Sequence, residues 1–273
     1  MDLTFSSIYK SAPDIFKNHS IDLANTTFFD PWAIGMICLK AIEYKNASDK
    51  KLILPENTDA ISYIKRMHFD KFMNELTYRT FLERLHGMNI NERDNLNIHE
   101  IMHCDFRDDF SARLNSKIRQ MFKNFGMSDA DEQRATALVG ELGNNVFDHN
   151  EGSWPTDVRG AIIVAQHYPK IHKIEVAVAD PGVGFLRSLK LASPSPRTHI
   201  EAIKLGLRGV TGRIGEPRGN GLQLIQKWTI DNFNGIIRIH SGDGLVIVDQ
   251  NGQKENVVNP ILGTLAELVV IYK

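Results

Sequence analysis

Two hydrophobic periods run along the chain and predict most of its elements. From Ser128 to His149, Ala135, Leu138, Leu142, Asn145 and Val146 recur at helical spacing. Ser128 or Asp129 stands where a helix cap belongs, ahead of an acidic first turn. Phe110, Leu114, Ile118, Met121, Phe122 and Phe125 mark an earlier helix over Asp108 to Phe125, with Arg113, Lys117 and Lys123 mostly outward. Ile200 to Leu207 and Leu222 to Trp228 carry shorter helical patterns. Alternation with period two marks Gly160 to Gln166 and Lys173 to Ala179, joined across Tyr168-Pro169-Lys170 as a hairpin. Gly235 to His240 and Leu245 to Val248 predict a second hairpin around Gly242-Asp243-Gly244, and Thr264 to Tyr272 a closing strand. The expected result is a mostly antiparallel sheet with one layer of helices on one face.

The first third has a different rhythm. Its opening 20 residues are uninformative, with Pro13 interrupting weak patterns. Ile21 to Ala24 reads as a short strand. Asp30 then stands as an N-cap with Pro31 at the first helical position, where a missing amide costs nothing. Ile34, Ile37, Cys38, Ala41 and Ile42 mark the buried face of that helix. A strand over Lys51 to Leu54 stops at Pro55, and Ala60 to Met67 is a second helix, so the order implies a small parallel α/β unit. Thr77 to Leu85 reads as a helix ended by Gly87, and Asn89 to Asn95 is polar enough for a linker. The expected class is therefore α/β, with a small α/β domain over 1–95 and an α/β sandwich over 96–273.

Composition sets limits. With 273 residues, 42% hydrophobic and 24% charged, the chain can bury a sizeable core. Thirty-two basic against 33 acidic residues leave a net charge of -1, so no nucleic-acid or membrane partner is implied. The longest apolar run, near Ala33 to Leu39, is too short to span a bilayer, and the start of the chain lacks a signal peptide's pattern. Cytoplasmic residence is expected. Cys38 and Cys104 read as reduced thiols. His99-Glu100-Ile101-Met102-His103 matches a zinc-protease pattern, but that chemistry needs a helix. Leu96, Ile98, Met102 and Cys104 alternate, so an edge strand with two surface histidines is expected instead.

Candidate chemistry gathers in four blocks. Glu141 and Asn145 share one helix face, a carboxylate and a carboxamide one turn apart. Asp180-Pro181-Gly182-Val183-Gly184 follows a strand, with glycines that admit close backbone approach to a ligand. Arg218-Gly219-Asn220-Gly221-Leu222 opens a helix whose free amides and dipole favour an anion. Gly263-Thr264 leads the last strand. In this order the blocks resemble the GHKL superfamily of ATP-binding domains, with the N-box at Glu141 to Asn145, the glycine boxes at Asp180 to Gly184 and Gly219 to Leu222, and the last box at Gly263-Thr264. The resemblance covers roughly residues 106 to 273.

The resemblance implies ATP and Mg2+ as ligands and a role for each block. Asp180, with Thr264 helping through water, accepts the adenine amino group. Asn145 coordinates Mg2+, with Asn144 beside it. Gly182, Gly184, Arg218, Gly219, Asn220, Gly221 and Leu222 complete the nucleotide pocket, and Glu141 orients or deprotonates the attacking group. His149, one turn beyond Asn145, either lines the phosphate pocket or favours the helix end. Leu186 to Pro217 corresponds to the ATP lid, in which Arg208 and Arg213, with Arg218, can reach phosphate oxygens. The attacked acceptor is either water or a hydroxyl on an unidentified protein partner, as in the anti-sigma-factor kinases; a nonhydrolysing module is the third class. Such domains often pair into homodimers. Ile21-Asp22-Leu23, followed by Asp30 at the head of a helix, resembles the STAS domain of anti-anti-sigma factors. Pro31 and Trp32 stand where those carry a phosphorylatable serine, which leaves a binding or autoinhibitory role.

Overall fold

The computed structural model describes all residues except 89–96, 151, 193, 211–219 and 273, together with the side chains of Asn115 and Asn220. The first part contains β1 (Asp2–Leu3), α1 (Phe5–Ile15), β2 (Phe16–Lys17), β3 (Ser20–Asp22), β4 (Phe28–Phe29), α2 (Pro31–Tyr44), β5 (Lys51–Ile53), α3 (Thr58–Arg66), α4 (Phe69–Glu75) and α5 (Glu83–His86). β3 and β5 pair in parallel on either side of α2, the expected α/β unit, and β2 adds to β3. Asp30 caps α2 through Oδ1, which accepts from Ala33 N at 2.8 Å, while its Oδ2 accepts from Phe5 N at 2.7 Å. One carboxylate thus fixes the starts of two helices. The helix expected over Thr77 to Leu85 is broken: Thr77 takes a left-handed φ of 64°, and only a short 3-10 turn at Arg79–Phe81 precedes α5.

The second part contains β6 (Ile98–Cys104), α6 (Arg107–Arg113), α7 (Arg119–Asn124), α8 (Asp129–Asn150), β7 (Ala161–Tyr168), β8 (Lys173–Asp180), α9 (Gly184–Ser188), α10 (His199–Leu207), α11 (Asn220–Phe233), β9 (Ile236–Asp249) and β10 (Gly252–Ile271). A π-helical stretch, Leu114–Ile118, links α6 to α7, so the helix expected over Asp108 to Phe125 is continuous but underwound at its centre. Ser128 starts α8, its Oγ accepting from Asp131 N at 3.2 Å. The five strands form one antiparallel sheet in the order β6-β7-β8-β10-β9. Mixed α/β is the observed class.

Three expectations are corrected here. No hairpin turns at Gly242-Asp243-Gly244: β9 runs straight through it, and the reversal comes at Gln250-Asn251. β10 starts at Gly252 rather than at Thr264, and Gly263 lies within it where the register with β9 shifts. The polar run Asp249 to Asn256 hid both facts, because its alternation is not hydrophobic. Helices also cover both faces of the sheet rather than one. Ile163, Val176, Val178 and Leu268 pack with α8 and α11. Their neighbours Ile162, Val164, Ala177 and Leu265 pack with α2, whose Trp32 to Leu39 are all buried. A helix apolar on nearly every side must lie between two layers.

Candidate functional site

β8 ends at Asp180, and α8 runs past that end with Asn150 at its own terminus. Asn150 is buried and spends its whole carboxamide there. Nδ2 donates to Val146 O at 2.7 Å and to Asp180 Oδ1 at 3.1 Å, while Oδ1 accepts from Val183 N at 2.8 Å. Gly182 N donates to the same Asp180 oxygen at 2.9 Å. Asp180 Oδ2 takes no hydrogen bond from a described residue. Burial pushes this carboxyl up from its ordinary value of 3.8 to about 7, against the pull of the Gly182 amide and Asn150.

The opposite wall comes from β9 and β10. Gly263 adopts a φ of 68°, and a Cβ there would lie 1.9 Å from the Asp180 carbonyl, so only glycine lets β10 pass this corner. Ser241 is fully buried behind it: its Oγ accepts from Phe185 N and donates to Gly263 O, both at 3.0 Å, and Thr264 Oγ1 lies 3.4 Å away. At the far end, the first turn of α11 meets α8. A Cβ on Gly221 would sit 2.6 Å from Glu141 Oε2 and 4.0 Å from Asn145 Nδ2.

Between these walls lies a cavity of about 510 Å³, within the range typical of small-molecule sites. Glu141, Asn145, Asp180, Gly184, Gly221, Leu222 and Thr264 all line it. Asn144 is half-buried on α8 outside the lining, and Gly182 supports Asp180 rather than facing the space. Arg213, Arg218 and Gly219 lie outside the described residues, as does the side chain of Asn220, whose backbone begins α11. Arg208 is exposed and not part of the lining. His149 does line it and bonds Ser188 Oγ at 2.9 Å. Asn150, Ser241 and Ser188 escaped the sequence reading, because each acts through a partner distant in the chain and none falls in a glycine-marked block.

Among the described residues, the site holds one buried polar atom with no hydrogen-bond partner, Asn145 Nδ2. Among the described residues, no group of three or more His, Cys, Asp or Glu side chains could hold a metal. A cation in this cavity would therefore draw most of its ligands from the molecule it accompanies, as Mg2+ does with phosphates. His99 and His103 lie on β6, an edge strand, half-buried, each imidazole beside a backbone carbonyl at 2.9 and 2.8 Å. No helix among the described residues is long and apolar enough to cross a membrane. A scan against protein-family models returns no match, and a search of the curated proteins returns none either.

Proposed function

We propose that this chain is a cytoplasmic, Mg2+-dependent ATP-binding protein of the GHKL type, one that hydrolyses ATP or transfers its gamma-phosphate as a switch on a protein partner. The observation carrying the proposal is convergence: Glu141 and Asn145, Asp180, Gly221, and Thr264 come from four separate stretches and line one cavity. The residues fit the ligands. The Asn145 Nδ2, without a partner among the described residues, suits a ligand rich in acceptor oxygens, and by turning over about its terminal bond the carboxamide offers oxygen to a cation instead. Gly221 leaves the room a phosphate needs against the start of α11, where free amides favour an anion.

Each residue then has a defined task. Asp180 Oδ2 accepts a hydrogen bond from the adenine amino group, and guanine, with a carbonyl at that edge, is rejected. Mg2+, held by Asn145 when bound, offsets phosphate charge. Glu141 takes the proton of the attacking hydroxyl at its carboxylate. The test is incubation of the full chain and of Glu141→Ala with gamma-labelled ATP in cell extract. Free labelled phosphate identifies water as acceptor and a labelled protein identifies a kinase. Glu141→Ala should retain nucleotide and lose either product; binding without turnover in the unaltered chain would reject the catalytic half of the proposal.

A further inference from the structure

Glu141, Asn145 and His149 follow one another at four-residue spacing on α8, and all three line the cavity. At a rise of about 1.5 Å per residue they make a stripe about 12 Å long. The two ends of the stripe are chemically different. Beyond His149, Asn150 holds Asp180 at 3.1 Å. At the other end, Gly221 lies against Glu141. A ligand with its base on Asp180 and its phosphates beside Gly221 carries the portion next to its base past the His149 end of the stripe.

A second polar group waits at that level. Ser188 closes α9 and lines the same cavity, with its Oγ 2.9 Å from His149 Nδ1. A serine hydroxyl has one donor and two acceptor sites, and the imidazole contact uses only one of the three. The portion of a nucleotide between base and phosphates is its sugar, whose hydroxyls both donate and accept. Resting on the nucleotide reading above, we infer that His149 and Ser188 form a sugar subsite, one that hydrogen-bonds the ribose hydroxyls and selects ribonucleotides over their deoxy counterparts.

The test is calorimetric titration of the full chain with ATP and with 2′,3′-dideoxy ATP, each with Mg2+. The unaltered chain should bind the dideoxy nucleotide about 10-fold more weakly, the net worth of one hydrogen bond. In Ser188→Ala the two affinities should converge through a loss on ATP alone, while unchanged dideoxy binding reports an intact pocket. Equal binding of both nucleotides by the unaltered chain, or an unaltered ratio in Ser188→Ala, overturns the sugar subsite and leaves the nucleotide site standing. Binding of neither nucleotide overturns both.

Discussion

Asp180 is held by an amide and a carboxamide rather than by a cation, and the consequence is measurable. Its carboxyl titrates at about 7 in the folded chain and at its ordinary 3.8 when unfolded, so the folded state binds its proton more tightly. Stability from this group is therefore full below about pH 4, declines as pH rises through about 7, and is flat above. The total is on the order of 4 kcal/mol at about 1.4 kcal/mol per pH unit. D180N removes the charge, so it should melt higher than the unaltered chain at pH 8, with the difference shrinking at pH 5, while losing ATP affinity by calorimetry. A D180N protein that melts lower at pH 8 contradicts the account. Asn150→Ala removes a hydrogen bond that draws the Asp180 carboxyl down, so the pH midpoint of ATP affinity should move to higher pH; a midpoint that stays in place denies Asn150 this role. At this scale the sequence was readable where a residue sits beside glycine or repeats on a helix face, as Asp180, Glu141 and Asn145 do. Asn150 gives no such signal, since its meaning comes from Asp180, 30 residues away.

Among elements, α8 and α11 carry the site, and their contact depends on one small residue. In an exposed helix, Gly→Ala stabilises by roughly 0.5–1 kcal/mol. At Gly221 the added carbon would lie 2.6 Å from Glu141 Oε2, so the carboxylate or the helix start must shift. Gly221→Ala should therefore keep or raise the melting temperature and yet cut ATP turnover at least tenfold, which parallel thermal melts and phosphate-release assays resolve. Turnover within twofold of the unaltered chain would show that the two helices are not fixed by this contact. The helices were legible because their apolar faces are continuous and their caps explicit: Ser128 starts α8, and Asp30 Oδ1 accepts from Ala33 N at the head of α2. The β9–β10 pair was not, since residues 252–256 form ladder without apolar alternation. There pairing is set by the partner strand and by the Gln250-Asn251 turn, not by a buried face.

For the whole molecule, the position of α2 decides whether the chain unfolds in one step or two. Its residues share a single buried cluster with Ile162, Val164, Leu245, Ile261 and Leu265 of the sheet. Burying each such side chain contributes about 1.5–3 kcal/mol. Peeling the first 88 residues from the sheet would forfeit on the order of 10 kcal/mol, comparable to the whole stability of a domain. It would also uncover Glu267, fully buried beside α1 and α2, whose carboxyl is pushed up by burial despite Arg238 at 2.5 Å. Arg238 in turn stacks on the Phe5 ring at 4.0 Å, so the ion pair is itself capped by the first segment. Trp32 on α2 and Trp228 on α11 report from opposite layers, one fully buried and one partly. Variants that keep only one of these two tryptophans, with Trp154 also replaced, should show fluorescence transitions at the same urea concentration and with the same slope. An earlier, shallower transition for Trp32 than for Trp228 would mean that α2 rests on the sheet without sharing its stability, and that residues 1–88 fold apart from the cavity lined by α8 and α11.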